Sequence, residues 1–218
     1  MKITTQLLRE KNACSSGIEK IIEHFPSGEA EYQEVLDKLA ELNDASNANF
    51  LLQTIGKTDS VLELDGNVER KSLFFAGSIK VTGFIKVDFC LLAGCGIKAG
   101  DGIEAGLGIK AGRGIEAGRG IEAGLGIEAG WGIEAGDGIE AGDGIEAGDG
   151  IEAGRGIKAG RGIEAGSDYG IFAGLNVYIS LWGIDARVIS NIKPVNLISG
   201  FWVEPVEAST DEKSEAVE

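Results

Sequence analysis

Residues 97–166 read IKAGDG, IEAGLG, IKAGRG, IEAGRG, IEAGLG, IEAGWG, IEAGDG, IEAGDG, IEAGDG, IEAGRG, IKAGRG, IEAG: twelve consecutive copies of an Ile-Glu-Ala-Gly-x-Gly hexapeptide. Internal repetition of this quality decides the architecture. Ile and Ala are two residues apart, so an extended chain points both to one face and the residue between them to the other. Gly-x-Gly then forms a corner, where glycine is expected to supply backbone angles that other residues resist. A short strand and a corner, repeated without a polar inward residue, can bury Ile and Ala only by stacking coil upon coil. The expectation is a mainly β fold, a parallel β-solenoid.

Composition fits this reading. Of the 35 glycines in 218 residues, 25 lie between Gly94 and Gly166, two per repeat, while only 3 prolines occur, which excludes a collagen helix and a Pro-rich linker. Degenerate hexads flank the regular ones. Leu73, Ile79, Ile85 and Leu91 continue the Ile phase upstream, with Val81, Val87 and Ala93 in the Ala position. Downstream, Ser167-Asp168-Tyr169 lengthens one corner before Ile171, Ala173 and Val177 resume the pattern.

The hexads at Ile103-Glu104-Ala105-Gly106 and Ile121-Glu122-Ala123-Gly124 resemble the hexapeptide repeat of left-handed parallel β-helices, known from the hexapeptide acyltransferases. The resemblance implies a left-handed coil of three hexads, and covers about two thirds of the chain if the degenerate hexads count. Alanine stands where that family commonly has a larger aliphatic residue, which implies a slimmer core.

Stacking tests the coil length. An 18-residue coil places Asp101, Arg119, Asp137 and Arg155 in one column of alternating sign, sets Asp143 on Arg161 and Arg113 on Trp131, and aligns Phe89, Leu107 and Leu125. It brings no like charges together at the corners, whereas a 12-residue coil stacks Asp137 on Asp149. The pattern favours 18. Between Ile and Ala the same coil lines up three acidic columns: Glu104, Glu122 and Glu140; Glu116, Glu134 and Glu152; and Glu128, Glu146 and Glu164. Like charges in register are mildly destabilising. These columns are the candidate binding residues, with tandem duplication as the non-functional explanation. Phe89, Leu107, Leu125 and Trp131, apolar at corners that should be polar, form a candidate association surface.

Residues 1–58 read as a small helical module. Leu7, Leu8, Ile18, Ile21, Ile22 and Phe25 suit one or two amphipathic helices ended by Pro26-Ser27-Gly28, and a further helix is expected over 29–43. The solenoid is expected over 59–203, its open ends covered by the helical module on one side and by Tyr178, Trp182, Phe201 and Trp202 on the other. Residues 204–218 are acidic and expected to be a disordered tail.

Twenty Lys and Arg against 35 Asp and Glu leave a formal charge of -15, so direct nucleic-acid binding through phosphate neutralisation is not expected. No apolar stretch reaches membrane-spanning length and the first residues lack a signal-peptide core, so a cytoplasmic location is expected, with no membrane partner. Cys14, Cys90 and Cys95 lack zinc or redox spacing and read as small hydrophobes. His24 is the only histidine and lies outside the solenoid, so the acyltransferase chemistry of the resembled family is not expected. GxG steps lack a following Lys-Ser/Thr, and Asp137, Asp143 and Asp149 lack a calcium-repeat pattern. No catalytic residue, metal or cofactor is therefore expected.

What remains is protein–protein contact. One reading is an acidic mimic of nucleic acid, from a phage or other mobile element, that inhibits a host nucleic-acid-binding or defence enzyme through a basic surface. Pentapeptide-repeat proteins that imitate DNA are an analogy, and the location would then be the host cytoplasm. The other reading is a self-assembling, bactofilin-like scaffold, hence a homo-oligomer.

Overall fold

The computed structural model describes residues 1–205; the expected acidic tail lies outside the described residues except for Glu204 and Pro205. From residue 61 the chain winds as a parallel β-solenoid of eight coils, and its strands fall into three sheets of eight, eight and six. Sheet 1 runs from Val61–Leu64 through Ile97–Ala99 and Ile115–Ala117 to Leu197–Ser199. Sheet 2 runs from Val68–Arg70 through Ile103–Ala105 and Ile121–Ala123 to Phe201–Val203. Sheet 3 runs from Leu73–Phe75 through Ile109–Ala111 to Ile163–Glu164. Ile103 pairs with Ile121 and Ile121 with Ile139, so one coil is 18 residues, the length that the charge pattern favours. The inward Ile and Ala are buried in every regular hexad but the last, where Ala165 is only partly buried; they fill one continuous core in which alanine keeps the cross-section small.

The glycines act differently from the expectation. Among the described residues, positive φ occurs at five glycines, Gly28, Gly56, Gly66, Gly174 and Gly200, none of them in the regular hexads. The constraint is the approach of neighbouring coils. A Cβ on Gly118, the first glycine of its corner, would lie 2.1 Å from the carbonyl oxygen of Gly100 one coil below. The second glycine is less confined: a Cβ on Gly102 would meet the Gly120 oxygen at 3.2 Å. In the degenerate hexads both positions lose glycine, with Ala76, Thr82 and Asp88 in the first and Ser78, Phe84 and Cys90 in the second, so the close approach at the first position is a property of the regular coils.

The ends close by side-chain size. In the Ala position of the first coil stand Leu64 and Phe75, paired with Val81 and Ala93 of the next, so the core is plugged where no further coil covers it. At the far end Trp202 follows Val188 in the inward column, packs on the core and donates from Nε1 to the Ser190 carbonyl at 3.3 Å. Of the other aromatics expected there, Tyr178 is 81% exposed and Phe201 58%, so neither closes the core. Both lie on loops or outward positions of the irregular last coils.

The N-terminal module comprises helices α1 (Thr5–Glu10), α2 (Ser15–His24), α3 (Tyr32–Glu41) and α4 (Ala45–Thr54). Glu29–Glu31, expected within the third helix, instead pair antiparallel with Lys2–Thr4, and α3 begins only at Tyr32. The module covers part of the solenoid end, where Gln33 of α3 hydrogen-bonds the free edge of Leu73–Phe75, the first strand of sheet 3. It also packs on the flank of sheet 3, where the outward residues of the first two coils are Phe74 and Leu92 rather than Glu or Lys. Both are buried there with Leu36, Leu39 and Leu51.

Candidate binding faces

Outward residues of the three sheets stack at the spacing of parallel strands, about 4.8 Å. The register sets Glu122 between Glu104 and Glu140 on sheet 2, and Glu134 between Glu116 and Glu152 on sheet 1. On sheet 3 it sets Glu146 between Glu128 and Glu164. All three expected acidic columns therefore exist as columns.

Each column is bounded by lysine. Lys86 Nζ donates to Glu104 Oε1 at 2.6 Å and Lys158 Nζ to Glu140 Oε1 at 2.5 Å, closing both ends of the sheet 2 triad. Lys98 pairs with Glu116, and Lys110 with Glu128 at 2.6 Å. The hydrogen bond to Glu104, and then that carboxylate's charge, hold the Lys86 ammonium above its usual range. Among the described residues no ion pair reaches Glu122, Glu134, Glu152, Glu146 or Glu164. Sheets 1 and 3 are thus unneutralised towards the C-terminal half, and sheet 2 at its centre.

The corners behave oppositely. Arg119 Nε lies 3.3 Å from Asp101 Oδ1, Arg155 Nε 3.6 Å from Asp137 Oδ1, and Arg161 Nε 3.4 Å from Asp143 Oδ1. Arg113 lies against the Trp131 ring, 5.2 Å from its centroid, and Asp149 follows on the next coil. Corner charges within 97–166 cancel, four Asp against four Arg. The repeat's 13 acids and 7 bases leave -6, and all of it lies on the flat faces, two per face (three Glu and one Lys each). Over four coils of about 4.8 Å that is roughly one charge per 3 Å of axis, about half the density of duplex DNA.

The four candidate association residues do not share one edge. Phe89, Leu107 and Leu125 are stacked along the edge between sheets 2 and 3, tied by backbone hydrogen bonds of 2.9 and 2.8 Å. Trp131, 52% exposed, lies on the edge between sheets 3 and 1. Reasoning from the sequence missed the docking flank of sheet 3, although the apolar outward Phe74 and Leu92 were its signal. It also missed the irregular last coils, which expose Leu175, Ile179, Ile192 and Val195.

No cluster of three or more His, Cys, Asp or Glu among the described residues has the geometry of a metal site, and no described helix is long and apolar enough to cross a membrane. Residues 1–58 match the family described as YdhT N-terminal domain. No curated protein and no solved structure matches the chain.

Proposed function

We propose that the protein is a non-enzymatic binding module that engages a basic protein surface through the flat faces of its solenoid. The observation that carries this is the separation of charge, with neutral edges and two net negative charges on every face of the repeat. Fixed carboxylates about 4.8 Å apart on a rigid β scaffold lose little entropy on binding, and their field steers a cationic partner. A partner that ordinarily holds nucleic acid fits this chemistry, and inhibition of such an enzyme by an acidic mimic is the finer form of the reading. The charge density, about half that of a duplex, favours a groove that contacts one face at a time.

Immobilised protein should retain a basic nucleic-acid-binding protein that duplex DNA displaces. Replacing Glu122, Glu134, Glu146, Glu152 and Glu164 by Gln should abolish retention with the β circular-dichroism signal unchanged. Retention that survives the five replacements, or that DNA does not displace, would overturn the reading. Self-assembly is the second reading, favoured by the apolar corner residues and the exposed apolar side chains of the last coils.

A further inference from the structure

Between sheets 2 and 3 one residue per coil stands on the edge, in the order Lys71, Phe89, Leu107, Leu125, Asp143, Arg161. From Phe89 to Arg161 each backbone N–H donates to the carbonyl one coil below, at 2.8 to 3.0 Å, so the order is rigid and evenly spaced. Lys71 is exposed and makes no ion pair among the described residues. Phe89, Leu107 and Leu125 are 37%, 38% and 47% exposed, an apolar strip on a body whose other outward residues are mainly charged.

We propose that this edge is the interface of an antiparallel homodimer with its two-fold axis at Leu107. The order of residues selects that arrangement. A two-fold interface presents the same patch from both copies. Antiparallel pairing centred on Leu107 sets Leu107 on Leu107 once, on the axis, and sets Phe89 on Leu125 of the second copy and Lys71 on Asp143 of the second copy, each of these two contacts occurring twice. Parallel pairing sets Lys71 on Lys71 and Asp143 on Asp143. Moving the antiparallel centre to either neighbouring gap sets Lys71 on Leu125 or Phe89 on Asp143. Only the register at Leu107 joins apolar to apolar and opposite charge to opposite charge over the five positions from Lys71 to Asp143. Asp143 already receives Arg161 of its own chain at 3.4 Å, and a second cation completes a Lys–Asp–Arg group.

Three apolar side chains per copy cover far less than the ~800 Å² per partner of a standard interface, so the dimer is weak, with a Kd of about 0.1–1 mM. This inference specifies the self-association reading and is independent of the acidic faces, which its test does not use.

Oxidative cross-linking reads the register. The full chain carries Cys14→Ser and Cys90→Ala, which remove the exposed and the half-buried thiol and leave Cys95 buried, and one cysteine is introduced at an edge position. Leu107→Cys, on the two-fold axis, should form disulfide-linked dimers. Phe89→Cys and Leu125→Cys, each offset from its own copy by two coil steps or about 10 Å, should link poorly alone and efficiently when mixed. In sedimentation equilibrium on the uncross-linked chain, Leu125→Asp should abolish the dimer and Lys71→Glu should weaken it roughly tenfold at low salt. Self-linking of Phe89→Cys as efficient as that of Leu107→Cys overturns the antiparallel register. A chain that stays monomeric at millimolar concentration overturns the dimer and the self-association reading together, and leaves capture of a basic partner untouched.

Discussion

Gln33 grips the strand of Phe74 from outside the solenoid: its Nε2 donates to the Phe74 carbonyl at 2.8 Å and its Oε1 accepts from the Ala76 N–H at 3.2 Å. This one amide, with the buried Phe74 ring, fastens the helical module to sheet 3. Phe74→Ala is expected to cost about 3–5 kcal/mol in urea denaturation of the full chain. Gln33→Leu should separate one transition into two, because the helical part of the module then keeps only the Ser72 Oγ–Asn43 Oδ1 hydrogen bond of 3.1 Å as a side-chain anchor while the solenoid core is unchanged.

The two glycines of a corner should respond unequally to the same methyl group. Gly118→Ala meets a backbone oxygen that cannot move without parting two coils, and should lower stability by about 3 kcal/mol or more. Gly102→Ala needs an adjustment of a few tenths of an ångström and should cost under about 1 kcal/mol. Equal losses in thermal melts would contradict the account of why each glycine is there.

Charge order on sheet 2 makes a signed prediction. Glu122→Lys converts three stacked carboxylates into an alternating column and should stabilise the chain by about 0.5–1 kcal/mol at low salt. Lys158→Glu lengthens the carboxylate column to four and should destabilise it. Both effects should shrink in 1 M salt, where exposed charges interact over only about 3 Å.

Asp44 ties α4 to α2, accepting from the Asn47 N–H at 3.1 Å and pairing with Lys20. Burial by itself raises this carboxyl, but the hydrogen bonds from Lys20 and Asn47 together with the Lys20 charge outweigh it and hold the group below its ordinary 3.8. A depressed value stabilises the folded state above pH 3.8 and the stabilisation is lost as pH falls through the lower folded value. Asp44→Ala should therefore cost about 1 kcal/mol near neutrality, and the difference from the parent chain should vanish in strong acid.

The body of the solenoid was legible in the residues because a two-residue alternation and a six-residue period leave few ways to bury Ile121 and Ala123. The sign pattern of Asp101, Arg119, Asp137 and Arg155 then chose the coil length. Less legible were effects that depend on what lies one coil away. Gly118 is confined by a carbonyl 18 residues earlier, which local conformational preference does not report. Phe74 and Leu92 announce a docking flank only once their outward orientation is known. Leu64 and Phe75 are plugs only in a chain whose other inward positions are small. The acidic columns followed from the period, but their lysine boundaries, which decide which carboxylates are unpaired, needed the register at both ends.

The coil of three hexads also governs how such a chain can change length. Near-identical hexads invite slippage during copying, and each hexad lost or gained turns everything downstream by a third of a revolution about the axis. A slip of six residues between Asp101 and Arg119 would set sheet 2 residues above those of sheet 1, part that ion pair and turn Trp202 and the last coils by a third of a revolution relative to the side that holds the helices. A slip of 18 leaves every ladder intact and merely lengthens the rod by one storey. Its length is therefore free to drift in whole coils, while the angle between its two ends is conserved.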